Sequence, residues 1–428
     1  MILNRKIQPA YQDIQEINII NPTKVKLENN VIAHFIDAGT QEIVKIDIIF
    51  EAGSWFQPSP PIASATIEML MEGTSTFSSQ QIAEKLDYYG AFIQPQPTKD
   101  FASLSLFTLK KYLPQTITIL EDIVKNPSFP QHELTNFMNK KKQQFIIEME
   151  KVSNLARRTF NEQIFGTNHP YGKNVQLEDY DSLTREALFD FHKKHYTPQH
   201  GKIIVTGKID DAVIETIHQH FGNKDWGTTR KIEYPQQVSR DEIIKEKIIE
   251  KENAKQSAVR MGIRMPTQTH PDFIKLTILN TILGGYFGSR LMKNIREEKG
   301  YTYGIGSLLL SLKHEGLLLI VSEVGANYAK ETVNEIIKEI NRLKEEKISN
   351  EELTLVKNYM MGDFLRSFDG PFALSESYRS IIDFDLTPDF FNRGIEAIKT
   401  ITPEEILQLA NQYLVEENFV TTIAGKYE

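Results

Sequence analysis

The sequence predicts an α+β protein made of two copies of one unit, each a mostly antiparallel sheet with helices packed on one face, joined by a linker. Three observations predict it. The order of alternating and helix-periodic stretches in the first half returns from about residue 256. The segment LTREALFDFHKKHYTPQHGKIIVTGK (183–208) lies beside ITPEEILQLANQYLVEENFVTTIAGK (401–426) without a gap, an offset of 218 (401 minus 183), and HEL at 132–134 pairs with EEL at 351–353 at an offset of 219 (352 minus 133). Between the copies runs a polar, weakly periodic stretch, 222–242. We therefore place one domain at 1–222, a linker at 223–242 and a second domain at 243–428.

In the first copy, EIVKIDIIFEAGS (42–54) alternates as a strand with one face buried. IASATIEMLMEG (62–73) has its apolar residues on one side and Gly73 to close it, which reads as a helix. SSQQIAEKLDYYG (78–90) starts on serine and ends on glycine as a second helix. ASLSLFTL (102–109) alternates as a strand, and LPQTITILEDIVKN (113–126) returns to helical spacing. In the second copy SAVRMGIRM (257–265) is the strand, FIKLTILNTILGG (273–285) and SRLMKNIREEKG (289–300) the helices. GSLLLSL (306–312) and GLLLIVSEV (316–324) follow as strands, then AKETVNEIIKEINRLKEEK (329–347) as a helix.

Composition narrows the function. A chain of 428 residues exceeds the size at which single cores stop growing, and 40% hydrophobic with 25% charged residues is ordinary for a folded globular protein. A net charge of −8 provides no basic field to neutralise phosphates, which argues against nucleic acid as a partner. The absence of cysteine removes disulfide frameworks, thiolate metal sites and cysteine nucleophiles. MILNRKIQPAYQDIQ has no apolar core of signal-peptide length, and no run of about 18 apolar residues occurs. No membrane association is expected. A cytoplasmic location is the simplest expectation, a periplasmic one the alternative if a leader was removed.

Six local stretches carry a resemblance: EAGSW (51–55), MLMEGT (69–74), HPYGK (169–173), FHKKHYTP (191–198), LGGYFGSRL (283–291) and IREEKGYTYG (295–304). In this order, on a duplicated chain, they resemble the insulinase and pitrilysin-type zinc peptidases, the inverzincins, in the short bacterial form related to mitochondrial processing peptidase subunits. The resemblance implies an HxxEH helix, whose two histidines bind zinc while the glutamate activates water. At that place stand Ser64, Ala65, Thr66, Ile67 and Glu68, and no histidine occurs between His34 and His132. The third ligand implied by the resemblance falls near Gln143 and Gln144, whose neutral amides are poor donors to zinc. No metal is expected in this chain. The histidines at 192, 195, 200, 218 and 220 read instead as surface residues of amphipathic helices, because HKKH sits among lysines.

The resemblance also implies that Arg296 and Tyr303 reach a substrate carbonyl in trans, across a chamber, at a zinc site carried by another subunit. Taken alone, Arg296 is a cation closing a helix ahead of Gly300, and Tyr303 an aromatic packing across a sheet. LGGYFGS reads as a tight interhelical turn and NKKKQQ (139–144) as a solvated face. In GAFIQPQPTKDFASLSLF (90–107) the resemblance implies an edge strand to which substrate adds at Ala91, Phe92 and Ile93; an ordinary sheet edge is the plain alternative.

The expectation is a catalytically incomplete peptidase homologue, inert alone, that forms one half of a two-subunit peptidase with an HxxEH-bearing sister. No cofactor is expected in this chain and zinc is expected in the partner, with a peptide or small protein as substrate. The alternatives are a non-catalytic peptide-binding or scaffold homodimer, and a peptidase with an unrecognised metal site.

Overall fold

The computed structural model describes residues 17, 19–223 and 244–427, so the linker predicted at 223–242 falls outside the described residues except for its first. The first half contains strands β1 (Thr23–Lys26), β2 (Ile32–Asp37) and β3 (Ile43–Phe50), helices α1 (Ile62–Met69) and α2 (Ser79–Tyr89), and strands β4 (Phe92–Pro97) and β5 (Ala102–Leu109). Helices α3 (Leu113–Lys125), α4 (Gln131–Met149), α5 (Val152–Phe165) and α6 (Arg185–His195), strand β6 (Gly201–Gly207) and helix α7 (Asp211–Phe221) complete it. The second half contains β7 (Glu246–Glu250), β8 (Gln256–Met265), α8 (Phe273–Asn280), β9 (Thr302–Ser311), β10 (Gly316–Gly325) and α9 (Ala329–Glu345). It ends with α10 (Asn350–Arg366), α11 (Pro371–Ile382), α12 (Asp389–Thr400), α13 (Pro403–Tyr413) and β11 (Val420–Gly425).

The first sheet runs β1-β2-β6-β3-β5-β4 and the second β7-β11-β8-β10-β9. Apart from β1 the two orders are the same, and so are the senses: β2 with β6 and β7 with β11 are parallel, the other pairs antiparallel. Local chemistry repeats with the topology. Thr184 and Thr402 are both N-caps, accepting from the N–H of Ala187 and Glu405, and Glu405 completes a capping box. Ser78 and Gln81 form another such box on α2, which Gly90 ends in the left-handed conformation.

Each sheet carries its own helices on one face. In the first half Val44, Ile46, Ile48 and Phe50 of β3 join Leu104, Leu106, Ile203 and Val205 in a core with α1, α3 and α6. The opposite face is not solvated, and here the alternating pattern of β3 misleads: Lys45 and Asp47 are buried. Helix α11, from the other half, lies over them. Asp47 pairs with Lys45 (3.0 Å) and accepts from Ser375 on α11 (3.0 Å) and from Ser105, while Lys45 also reaches Glu376 (2.5 Å). Around this polar pair Ile36, Ile49, Phe101 and Ile204 pack against Leu374, Tyr378 and Ile381.

The exchange is reciprocal. Helix α5, which stands 219 residues before α11 (371 minus 152), covers the outer face of the second sheet. Phe160, Ile164 and Phe165 pack on Leu317, Leu319 and Val420, and Ala156 sits between Ala258 and Ala424. A side chain at Gly262 would come within 2.7 Å of the Phe160 ring, so this position needs glycine for the helix to approach. Tyr378 is fully buried at the centre of the exchanged packing. Tyr378→Ala is expected to cost about 3–5 kcal/mol and to lower a single denaturation transition reported by both halves together; separate transitions for the two halves would show that the exchanged helices do not couple them.

Candidate functional site

Arg296 and Tyr303 are brought together by the second half. Residues 281–285 and 292–298 are wound as π-helix, and Gly300 at φ +68° turns the chain out of the second segment into β9. A side chain on Gly284 would strike Ser307 at 2.6 Å, so the glycines of LGGYFGS serve the close packing of this segment on β9 as much as a turn. The Ser307 hydroxyl donates to the Asn280 carbonyl (3.2 Å) across the same contact.

β9 is an edge strand with a bulge at its start. Ser322 faces Ile305 and Val324 faces Thr302, so Tyr303 and Gly304 together oppose the single residue Glu323. Hydroxyls staple the bulge. Thr302 Oγ1 accepts from the Gly304 N–H (3.0 Å) and donates to the Glu323 carbonyl (2.7 Å), and Ser322 donates to the Gly304 carbonyl (2.9 Å). The extra residue reverses the facing of the chain and throws Tyr303 outward, where it is 93% exposed. An aromatic packing across the sheet, the plain reading of Tyr303, is therefore not what the fold builds.

Arg296 is held to the same bulge: its Nε–H donates to the Tyr303 carbonyl (3.0 Å), and its guanidinium lies 4.6 Å from the centre of the exposed Phe287 ring. Nη1 is 3.9 Å from Glu297. With Nε engaged on the Tyr303 backbone and the guanidinium over the Phe287 ring, the Nη donors remain for other acceptors near the exposed bulge.

The place where the resemblance puts zinc does not suit it. Ser64 donates to the Pro61 carbonyl (3.0 Å), Ile67 is fully buried, and Glu68 is paired with Lys141 of α4 at 2.6 Å. Gln143 and Gln144 are exposed. An ammonium thus neutralises the one carboxylate on α1, which stands where the resemblance puts a histidine, and no set of anionic or imidazole donors converges. Among the described residues no group of three or more His, Cys, Asp or Glu is placed to hold a metal ion. Lys141 was read from sequence as part of a solvated charge run; only the packing of α4 against α1 reveals its partner.

The histidines also differ from the sequence reading. His192, His195 and His200 are buried rather than on the surface, since His192 and His195 continue the inward stripe of Leu188 and Phe191 on α6. The His192 Nε2–H donates to the Val124 carbonyl (2.8 Å), and a ring nitrogen of His195 contacts the Glu51 carbonyl (3.2 Å). Burial holds His34, His192 and His195 down to about 4, so each is neutral at pH 7. His218 and His220 are half-buried, His220 against Glu121 at 2.5 Å.

The edge strand in 90–107 exists as β4, but only part of the proposed contact lies on it. Ala91 is buried ahead of the strand and gives its N–H to the Leu86 carbonyl (2.9 Å). Phe92 is exposed and stacks on Phe107 at 4.5 Å; Ile93 is half-buried. Pro95 and Pro97 share a parity and have no N–H, so the ladder to β5 is carried by the other parity and the outer edge of β4 keeps one of its three donors, that of Ile93.

Comparison with known proteins follows this geometry. Residues 35–169 match the family model described as Insulinase (Peptidase family M16), and residues 182–360 the model described as Peptidase M16 inactive domain. A Bacillus subtilis (strain 168) protein named "Uncharacterized zinc protease YmxG" is 26% identical over 304 residues, 70% of this chain and 73% of the relative. Another from the same organism, "Probable inactive metalloprotease YmfF", is 22% identical over 257 residues, 59% of each chain. The crystal structure of a peptidase M16 inactive domain from Pseudomonas fluorescens shares the fold with a TM-score of 0.85 at 22% identity, over 95% of this chain and 99% of that one. The periplasmic protease PqqL from Escherichia coli shares it with a TM-score of 0.80 at 14% identity, over all of this chain and 48% of that one. No helix among the described residues is long and apolar enough to cross a membrane.

Two expectations follow. Ser64→His, Ile67→Glu and Glu68→His combined restore HxxEH in name, yet with Lys141 in place and amides at 143 and 144 they are expected to bind no stoichiometric zinc after dialysis, measured by elemental analysis; a tightly held equivalent would contradict the assignment of Lys141. Separately, the three buried histidines have folded-state values near 4 against the ordinary 6.5, so their contribution to stability is complete above pH 6.5 and is lost as pH falls toward 4. The unfolding free energy, measured by denaturant titration, should fall by more than about 2 kcal/mol in total between pH 7 and 4.5, and His192→Gln, which keeps a donor for Val124, should lessen the fall.

Proposed function

The chain belongs to the insulinase (M16) peptidase family, and from that premise we propose that it is the non-zinc subunit of a two-subunit peptidase, closing a chamber whose metal is carried by an HxxEH-bearing sister. The single observation that carries this reading is the asymmetry between the two sites: the metal position on α1 is filled by an ion pair, whereas the bulge of β9 holds Tyr303 in the open with Arg296 tied to it. An exposed tyrosine on a hydroxyl-stapled bulge has no packing role in its own subunit.

The chemistry follows from donor placement. As a peptide carbonyl is attacked, negative charge grows on its oxygen, and the Tyr303 O–H and the Arg296 Nη–H groups are donors aimed at that oxygen from a surface this chain leaves uncovered. The zinc of the sister subunit supplies activated water. Arg296 has a second duty, since its Nε bond holds the Tyr303 backbone and so fixes where the phenol stands. The match of this chain to 48% of PqqL supports the pairing, because that relative carries about as much chain again beyond the shared fold. Alone, this chain is inert under the proposal, and its substrate is an unstructured peptide or a small protein able to enter a closed chamber.

In the complex with the HxxEH-bearing sister, Tyr303→Phe and Arg296→Ala should each lower kcat for an unstructured fluorogenic peptide by about 10²-fold or more, with subunit association unchanged in sedimentation. Arg296→Lys should behave like Arg296→Ala, because a single ammonium cannot at once donate to the Tyr303 carbonyl, lie against Phe287 and present further donors to the substrate. Full activity in either Tyr303→Phe or Arg296→Ala removes the proposed role.

A further inference from the structure

Beside Tyr303 the second sheet contains a half-open cavity of about 340 Å³. Its floor is the outer face of β8 and β10, where Ala258 and Arg260 stand next to Val321 and Glu323. The bulge residues Tyr303 and Gly304 close one side and Ser153, in the first turn of α5, closes another. Alternation on β8 fixes the direction of Arg260: Ala258 packs against Ala156 of α5 and Gly262 lies against Phe160, so Arg260 between them faces the same way.

Arg260 is half-buried, and burial together with the neighbouring Arg157 pulls its pKa below the ordinary guanidinium range, with Glu323 acting in the other direction. It makes no hydrogen bond or ion pair to a described residue. Glu323 lies on the adjacent strand, diagonal to it, and is not within ion-pair distance. Among the described residues Arg260 is thus the one cation lining the cavity, with Glu323 the one carboxylate; Arg157, exposed on α5, and the positive end of that helix add to the positive side.

We propose that this cavity is a substrate subsite that takes an acidic side chain from the residue flanking the carbonyl held by Tyr303, with Arg260 as its specificity-determining contact. The proposal rests on the placement of Tyr303 at the substrate argued above. A carboxylate entering beside Tyr303 meets the Arg260 guanidinium on the floor between Ala258 and Val321, where partial removal from water strengthens the charge-assisted bond. Glu323, at the bulge end, repels the carboxylate from that end and directs it toward Arg260.

The test uses the full chain alone. Three pools of fluorescein-labelled, extended nonapeptides of neutral composition, differing only in a central Glu, Gln or Lys, are titrated by fluorescence anisotropy. The Glu pool should bind about tenfold tighter than the Gln pool, and the Lys pool more weakly than either. Arg260→Gln should make the Glu and Gln pools equal, Arg260→Lys should restore part of the preference, and both should melt like the parent chain. Equal binding of the three pools, no binding of any, or a Glu preference that survives Arg260→Gln overturns the proposal. Because this readout needs no sister subunit, it separates the two readings: loss of the preference leaves the Tyr303 donor role standing, and an active Tyr303→Phe complex leaves the acidic subsite standing.

Discussion

A sheet whose two faces are both apolar needs two covers, and each half of this chain supplies only one for itself. The second comes from the other half, α11 over the first sheet and α5 over the second. Everything else in the molecule is arranged around this exchange. It buries the polar residues of β3 as a pair served by Ser375 and makes the two halves a single packed body. It also leaves β4 and β9 as the equivalent outer edges of two equivalent sheets.

Those edges have diverged in opposite directions. β4 bears prolines that remove two outward donors, the usual means of keeping an edge from pairing, and its exposed Phe92 is satisfied by stacking on Phe107. β9 is ten residues long, has no proline, and begins with a bulge held by Thr302 and Ser322. A bulge costs ladder hydrogen bonds, and these two hydroxyls replace them, which keeps Tyr303 outward. Helix α1 has diverged as well. Glu68, standing where the resemblance puts a histidine, is paired with Lys141 of α4, and a partly exposed ion pair of this kind contributes less than about 1 kcal/mol. The ion pair on α1 and the hydroxyl-stapled bulge of β9 are thus both explained by local chemistry.

Much of the fold was legible in the sequence because it is written twice. The gapless offset between 183–208 and 401–426 corresponds in space to α6 with β6 and α13 with β11, down to the capping threonines. Arg296 and Tyr303 were legible as a pair, although the bulge that turns Tyr303 outward was not, because it depends on register against β10 rather than on composition. The same limit explains the other differences. Lys45 and Asp47 alternate like solvent-facing residues, and only a helix more than 300 positions away in the sequence buries them. His192 and His195 sit among lysines in the sequence but fall on the apolar stripe of α6 in space. Ala91 seemed part of an edge, yet its N–H completes the end of α2. Neither Lys141, one of a run of three lysines, nor Arg260 could be assigned a partner from sequence, since a cation acquires meaning only from what the fold sets beside it.

The central claim is that this chain lends hydrogen-bond donors to a substrate carbonyl at a metal it does not hold. The most direct measurement is the zinc content and peptidase activity of the purified chain, of its HxxEH-bearing sister, and of the two mixed in equal amounts. The account predicts one zinc per pair of chains, none retained by this chain alone, and cleavage that appears only on mixing. Stoichiometric zinc in the lone chain, accompanied by cleavage of an unstructured peptide, would contradict it.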